Sequence, residues 1–330
     1  MHLKSIVPGL GLLFVLGFLA KFTAFFVHVG SILIPAILIG VGFANVYKIP
    51  KWAESGVAYH KLLLKVGIVF MGVSVKFEAL FRAGPRVILI IIAILPLTIL
   101  VTEILARFVF NLEDQVGSLL ASGAGICGVS AVIAVAGCIE AKKEHITYAI
   151  TTILIFDLLT LLIFPPLGRW LELPEIAFGV WVGISMLSTG PVTAAGFTYS
   201  KVAGQWATIT KLSRNIFISF VVVFYSIVYT RPDGARIKSN QFGTIWRNFP
   251  NFILGFIGFM FLANSGFLSI SQITILENLI EWLFLFAFVG LGLEMNVGKL
   301  RKTGIRPLFL TFVTILISSV SSLYLITMLL

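Results

Sequence analysis

Apolar runs of about twenty residues recur from one end of this 330-residue chain to the other, with no polar half between them. A helix of about that length crosses the roughly 30 Å hydrocarbon core of a bilayer, so this recurrence constrains the fold more than any single motif. Eleven runs qualify, at 6–27, 30–46, 57–76, 85–108, 115–140, 145–167, 175–200, 205–229, 248–265, 273–295 and 306–328. In hydrocarbon each backbone N–H and C=O must be satisfied within the protein, and an open chain meets that demand as helices. The expectation is an all-α polytopic membrane protein with about 11 transmembrane helices. Composition agrees, with 58% hydrophobic and 12% charged residues against about 45–50% and about 25% in soluble domains.

The net charge of +10 falls mainly in short segments beside apolar runs, such as "KLRKTGIR" (299–306) and "RPDGARIK" (231–238). That is the pattern of cytoplasmic loops next to anionic lipid, and it argues for a lipid bilayer and against nucleic acid as partner. The loops after the eighth and tenth runs are basic, and "NSGFLSISQIT" between the ninth and tenth has no Lys or Arg. This alternation places the N-terminus in the cytoplasm and the C-terminus outside a cytoplasmic (inner) membrane. The loops after the second and third runs both carry positive charge and do not alternate. The first run mimics a signal peptide but lacks a small-x-small cleavage site, so it reads as a retained helix.

The chain echoes itself. "FMGVSVKFEALFRAGPR" (70–86) and "FVGLGLEMNVGKLRKTGIRP" (288–307) share an aromatic-x-Gly start, a Leu, a basic residue and a proline-opened next run. A weaker echo joins 119–164 to 178–223, with "AITTILIF" against "TITKLSRNIF". Repeated halves with breaks in corresponding helices mark inverted-repeat secondary transporters. The organisation expected is one membrane domain over 1–330: an extra N-terminal helix at 1–29, a first repeat at 30–168 and a second at 169–330.

The fifth run contains "SGAGICGVSAV", which sets Gly123, Gly125 and Gly128 beside Ser122, Cys127 and Ser130. Each glycine costs a helix about 1 kcal/mol relative to alanine. A helix interrupted where it lines a wet cavity accommodates them, and the N–H groups near Cys127 to Ser130 would then suit an anion. A small-residue packing face is the alternative. "SMLSTGPVTAAGF" (185–197) repeats the theme, with Gly190-Pro191 as breaker and Ser188, Thr189 and Thr193 as covering hydroxyls.

Ionisable residues inside spans are costly and point to function. Asp157 lies mid-run in "TTILIFDLLTLLIF", and Lys211 and Arg214 lie one turn apart in the eighth run. Asp157 is expected to pair with one of them, as a structural lock or as part of an anion site. Glu103, Lys65, Glu277 and Glu281 fall nearer span ends and read as interfacial, as does Lys21. Enzyme chemistry is not expected: His2, His28, His60 and His145 are scattered, with no HExxH, paired acidic motif or phosphate loop. No cofactor or metal is called for. Cys127 and Cys138, eleven positions apart, are separated by roughly 16 Å of rise on a helix and cannot form a disulfide.

"GAGICGVSAVIAVA" (123–136) resembles the signature of the YeiH-type family of proposed sulfate exporters, with its Gly-x-x-Ile-Cys-Gly-x-Ser-Ala core. "GVWVGISMLSTGPVTAAGFTYSKVAGQWATITKLSR" (179–214) is similar to that family's second block, and the likeness runs from about residue 30 onward. The resemblance implies a carrier of the sodium/proton antiporter and bile-acid symporter superfamily, with crossed broken helices moving against a panel domain. It implies sulfate or a related sulfur oxyanion as cargo. It carries over Gly125, Ile126, Cys127, Gly128 and Ser130 from the first motif and Lys211 and Arg214 from the second. Where the family commonly has His-Asp and then Gln, this chain has Leu187-Ser188 and Pro191, and Asp157 stands where relatives are expected to carry a small residue.

The reading is a secondary transporter exporting a small anion by alternating access, with a coupling ion, sodium or proton, at Asp157, and a homodimer as the assembly. The anion site comprises Ser122, Gly123, Gly125, Cys127, Gly128, Ser130, Ser188, Thr189, Lys211 and Arg214. A cation antiporter centred on Asp157 and a channel or membrane scaffold are the alternatives. Either 185–197 or "FVGLGLEMN" (288–296) could be the second interrupted helix. Strict alternation would orient 115–140 and 175–200 alike, which argues against a simple inverted pair.

Overall fold

The computed structural model describes residues 3–27, 32–47, 49–229, 251–295 and 304–330. His2, His28, the segment "RPDGARIK" and most of "KLRKTGIR" lie outside the described residues. No strand occurs among the described residues. The helices are α1 (Leu3–Val27), α2 (Leu33–Val46), α3 (Lys51–Val57), α4 (His60–Met71), α5 (Phe77–Ile104), α6 (Asp114–Gly125), α7 (Val129–Cys138), α8 (Lys143–Trp170), α9 (Glu175–Ser185) and α10 (Thr189–Tyr199). They continue as α11 (Lys201–Asn215), α12 (Ile218–Val228), α13 (Phe252–Asn264), α14 (Ile270–Glu294) and α15 (Ile305–Leu329).

Among the described residues, seven helical stretches are long and apolar enough to cross a membrane, and four shorter apolar helices accompany them. The protein is therefore a multi-pass membrane protein. Two of the short helices, α7 and α9, come from expected full spans that are interrupted near their middles. The chain divides into two compact units. Unit 1 comprises residues 1–84, 193–205 and 251–298; unit 2 comprises 85–192, 206–250 and 299–330.

Unit 1 is built around α14, which packs along α2 and α4. The approach needs glycine: a side chain on Gly40 would strike the Val289 carbonyl and the backbone at Gly292. At the start of α14, Ser269 and Gln272 form a reciprocal capping box that satisfies two otherwise orphan N–H groups. Lys21 is not a simple interfacial lysine, because its ammonium sits 3.8 Å from the centre of the Trp282 ring.

In unit 2, the expected fifth span does not cross. The Gln115 side chain, at the start of α6, reaches the Ile139 and Glu140 carbonyls at 3.4 and 3.5 Å and accepts from the Lys142 N–H at 3.3 Å. A straight helix would hold positions 115 and 139 roughly 36 Å apart, so α6 and α7 form a hairpin whose ends are stapled together. Two further contacts fix the directions. Gln115 meets His145 at 2.9 Å and Gly123 meets Ile153, so α6 and α8 run the same way.

The following helix reverses. Phe164 stacks on Trp181 at 4.5 Å, and Asp157 meets Ser188, so α9 runs antiparallel to α8. Beside α9, the second limb of α11 again runs parallel, pairing Gly183 with Thr210, Met186 with Lys211 and Thr189 with Asn215. The expectation that 115–140 and 175–200 point alike is thus corrected: because α6–α7 returns on itself, α6 and α9 run in opposite directions. The second break is at 186–188, while α14 continues unbroken to Glu294. Pro191 is not the breaker. It occupies the first turn of α10, where a missing N–H leaves no ladder bond unmade.

Candidate functional site

The two interruptions of unit 2 meet. Gly128 caps the start of α7 with φ 65° and ψ −126°, a conformation that L side chains rarely adopt. Its N–H donates to the Gly123 carbonyl at 2.9 Å, closing the turn at the hairpin tip. A side chain there would strike Ser188 Oγ in the other break. Glycine is required twice over, by the backbone angle and by this approach.

α6 and α9 both end at the breaks, with carbonyls that no further helical turn can use. Arg214 satisfies them from both sides. One terminal nitrogen donates to the Gly183 carbonyl at 3.2 Å and also to the Ile184 carbonyl. The other donates to Ala124 and Gly125 at 2.9 and 2.6 Å. Lys211 adds a bond from Nζ to the Met186 carbonyl at 2.8 Å. Both side chains are buried, at 1% and 0% exposure. They are on one face of α11, as the one-turn spacing implies, and the planar fork of arginine suits the task of bridging two helix ends.

The expected pairing of Asp157 with Lys211 or Arg214 is corrected. Among the described residues no ion pair joins Asp157 to either cation. Its Oδ1 instead accepts from the Ser188 N–H at 2.9 Å, while the cations are turned to backbone carbonyls. Asp157 is fully buried, and its Oδ2 has no hydrogen-bond partner among the described residues. The same holds for Ser188 Oγ, Thr210 Oγ1, Asn215 Oδ1 and Arg214 Nε.

Two buried basic side chains and one buried carboxylate therefore share the crossing without pairing. The half-charges at the C-termini of α6 and α9 are offset by those at the N-termini of α7 and α10, leaving the crossing positive by about one unit.

The structure brings together Gly125, Gly128, Asp157, Ser188, Thr189, Lys211 and Arg214. Cys127 is buried at the tip, 5% exposed, and both cysteines are free. Other expected members face elsewhere. Ser122 Oγ donates back to the Leu119 carbonyl at 2.9 Å. Gly123 packs against Ile153 and Val132, and the Cα of Gly125 packs against Ile99 while its carbonyl serves Arg214. Ser130 is exposed. Gly123 is thus a packing position, and Gly128 holds the turn that interrupts the helix.

Asn215 and Thr210 were not singled out from the sequence. Asn215 donates to Thr189 Oγ1 at 3.4 Å. Its place directly after Arg214 in an apolar run is the signal that could have found it. Glu103 is not merely interfacial, since it accepts from the Tyr225 hydroxyl at 2.7 Å and from Arg107 Nε at 3.0 Å.

The chain as a whole is similar to known proteins. The family described as Conserved hypothetical protein 698 matches residues 8–311. A UPF0324 membrane protein of Nitratidesulfovibrio vulgaris is 32% identical over 281 residues, covering 84% of this chain and 78% of that protein. One from Bartonella henselae is 30% identical over 295 residues, covering 89% and 83%. One from Streptococcus agalactiae serotype V is 28% identical over 320 residues, covering 94% and 93%. No solved structure matches.

Proposed function

The chain belongs to the Conserved hypothetical protein 698 family of membrane proteins, and from that premise we propose that it is a secondary transporter of a small oxyanion. Sulfate or sulfite is the class of cargo, and export across the cytoplasmic membrane by alternating access is the mode. The observation that carries this reading is Arg214, which ties the carbonyl ends of two oppositely directed interrupted helices and, with Lys211, leaves their crossing positive. Opposed broken helices meeting at one charged point are the arrangement on which inverted-repeat carriers rock.

For the termini, we keep the N-terminus in the cytoplasm and the C-terminus outside in this proposal, on the alternation of basic segments along the sequence. The parallel course of α9 and the second limb of α11 means that the chain between them turns back.

A second reading has its own observation. The Oδ2 atom of Asp157 is buried and without a partner, and Ser188 Oγ beside it is likewise unpartnered. Oxygen donors of this kind suit a coupling proton or sodium ion. Flux in proteoliposomes separates the two. With sulfate, sulfite, a carboxylate and sodium as test solutes, the anion reading expects saturable oxyanion flux that falls more than tenfold in Lys211→Met. Intact anion flux in that variant, together with loss of pH-driven sodium flux in Asp157→Asn, would establish the cation reading instead.

A further inference from the structure

Unit 1 carries a half-open cavity of about 300 Å³. One end is polar: Lys201 Nζ lies 2.8 Å from Glu277 Oε2, and Ser74 Oγ donates to Glu277 Oε1 at 2.9 Å. Gln205 and Glu281 complete the polar lining. The walls are apolar, supplied by Leu33, Met71, Phe197, Ile280 and Phe284. The rings of Phe197 and Phe284 stand 5.5 Å apart between centroids.

Glu281 is the informative residue. It is the twelfth residue of the 25-residue α14, at mid-helix, not at the span end expected from the sequence. Among the described residues no ion pair engages its carboxylate, whereas Glu277 one turn away is held by Lys201 and Ser74. Its side chain is exposed and lines the cavity, so its charge is available to a ligand there. With two carboxylates against one ammonium, the lining is acidic by one charge. An anion is disfavoured there. A bare metal ion is also a poor fit, because Lys201 occupies the polar end and the apolar walls cannot complete an oxygen cage.

We propose that this cavity binds an organic ammonium ion with an apolar body. Glu281 supplies the counter-charge, Phe197 and Phe284 offer aromatic faces to the cation and its body, and Met71 and Ile280 close the walls. A body of roughly ten non-hydrogen atoms fits such a volume at protein packing density. The Lys201–Glu277–Ser74 group sets the polar boundary and keeps Glu281 as the available charge. This site goes beyond the anion reading and does not depend on it.

The test is calorimetric titration of the purified full chain, in non-ionic detergent, with 2-phenylethylammonium and with 3-phenylpropionate, a probe of similar shape and opposite charge. The ammonium should bind and the carboxylate should not. Affinity for the ammonium should fall at least tenfold in Glu281→Gln, fall less in Glu281→Asp, and stay unchanged in Asp157→Asn. Sodium should displace the probe no better than potassium at equal ionic strength. Equal binding of the two probes, full affinity in Glu281→Gln, or displacement specific to sodium would overturn the proposal. The comparison of probes uses the unaltered chain, so it decides the matter even if Glu281→Gln does not fold.

Discussion

The two units place charge inside apolar matter in opposite ways. In unit 2, Lys211 and Arg214 are wholly buried and donate to backbone carbonyls, so the charges hold together the ends of interrupted helices. In unit 1, Lys201 and Glu277 pair through side chains at the edge of a cavity, and Glu281 stays unengaged by other side-chain charges. The first arrangement is positive and closely packed; the second is acidic and roomy. A buried cation bonded to backbone is bound into the fold itself, while a side-chain pair beside open volume can be rearranged with little effect on it.

The strongest way to break this contrast is Arg214→Ala. Four buried carbonyls would lose their donor, at about 1–3 kcal/mol for each group left unsatisfied. The expected result is loss of folded protein or a fall of more than 10 °C in thermal midpoint, on the order set by that cost. Arg214→Lys should recover only part, since one ammonium cannot serve both helix ends. A midpoint unchanged in Arg214→Ala would show that the guanidinium is not the tie between α6 and α9.

Gly128→Ala comes next. The left-handed backbone there costs a side chain about 1–2 kcal/mol, and contact with Ser188 Oγ adds to it. Adding Ser188→Gly should relieve the contact but not the strain, which a double-mutant cycle on unfolding reads directly. Additive effects would mean that the two breaks do not touch.

Asp157→Asn should be milder for stability, because an amide oxygen can still accept from the Ser188 N–H. The measurement is the same unfolding midpoint beside anion flux: a shift worth less than about 1.5 kcal/mol is expected for a bond to a charged acceptor made neutral. A collapse of the fold would assign Asp157 a locking role that its single backbone contact does not support.

The smallest change is expected at Lys201→Ala. Its side chain is 61% exposed, and pairs of that kind contribute about 0–1 kcal/mol. Stability should hardly move, while affinity for an ammonium probe should rise as the repelling charge leaves. A large loss of stability would place unit 1 under the same rule as unit 2 and remove the contrast.

The residues of the crossing were largely legible. Gly128, Asp157, Lys211 and Arg214 stand out because each is locally expensive in a membrane helix: a glycine that breaks the ladder, or a charge in hydrocarbon. What each one faces was not legible. Ser122 and Ser130 belong to the same glycine-rich stretch, yet one bonds back to Leu119 and the other is exposed. Sequence spacing reports helix face only while the helix continues, and here it stops at 126–128. Glu281 was misplaced for a related reason: the apolar run at 273–295 hides three further helical residues before it, which move its centre onto the carboxylate.

From the sequence alone follow the solvent and the helical secondary structure, because hydrocarbon thickness and backbone hydrogen bonding act on local stretches. Tertiary structure alone decided that α6–α7 returns, that the breaks at 126–128 and 186–188 meet from opposite directions, and that Arg214 serves both. Those outcomes depend on Gln115 finding 139–145 and on one guanidinium reaching carbonyls 30 and 90 positions away. No periodicity encodes such contacts, since they arise only when separate helices pack side by side.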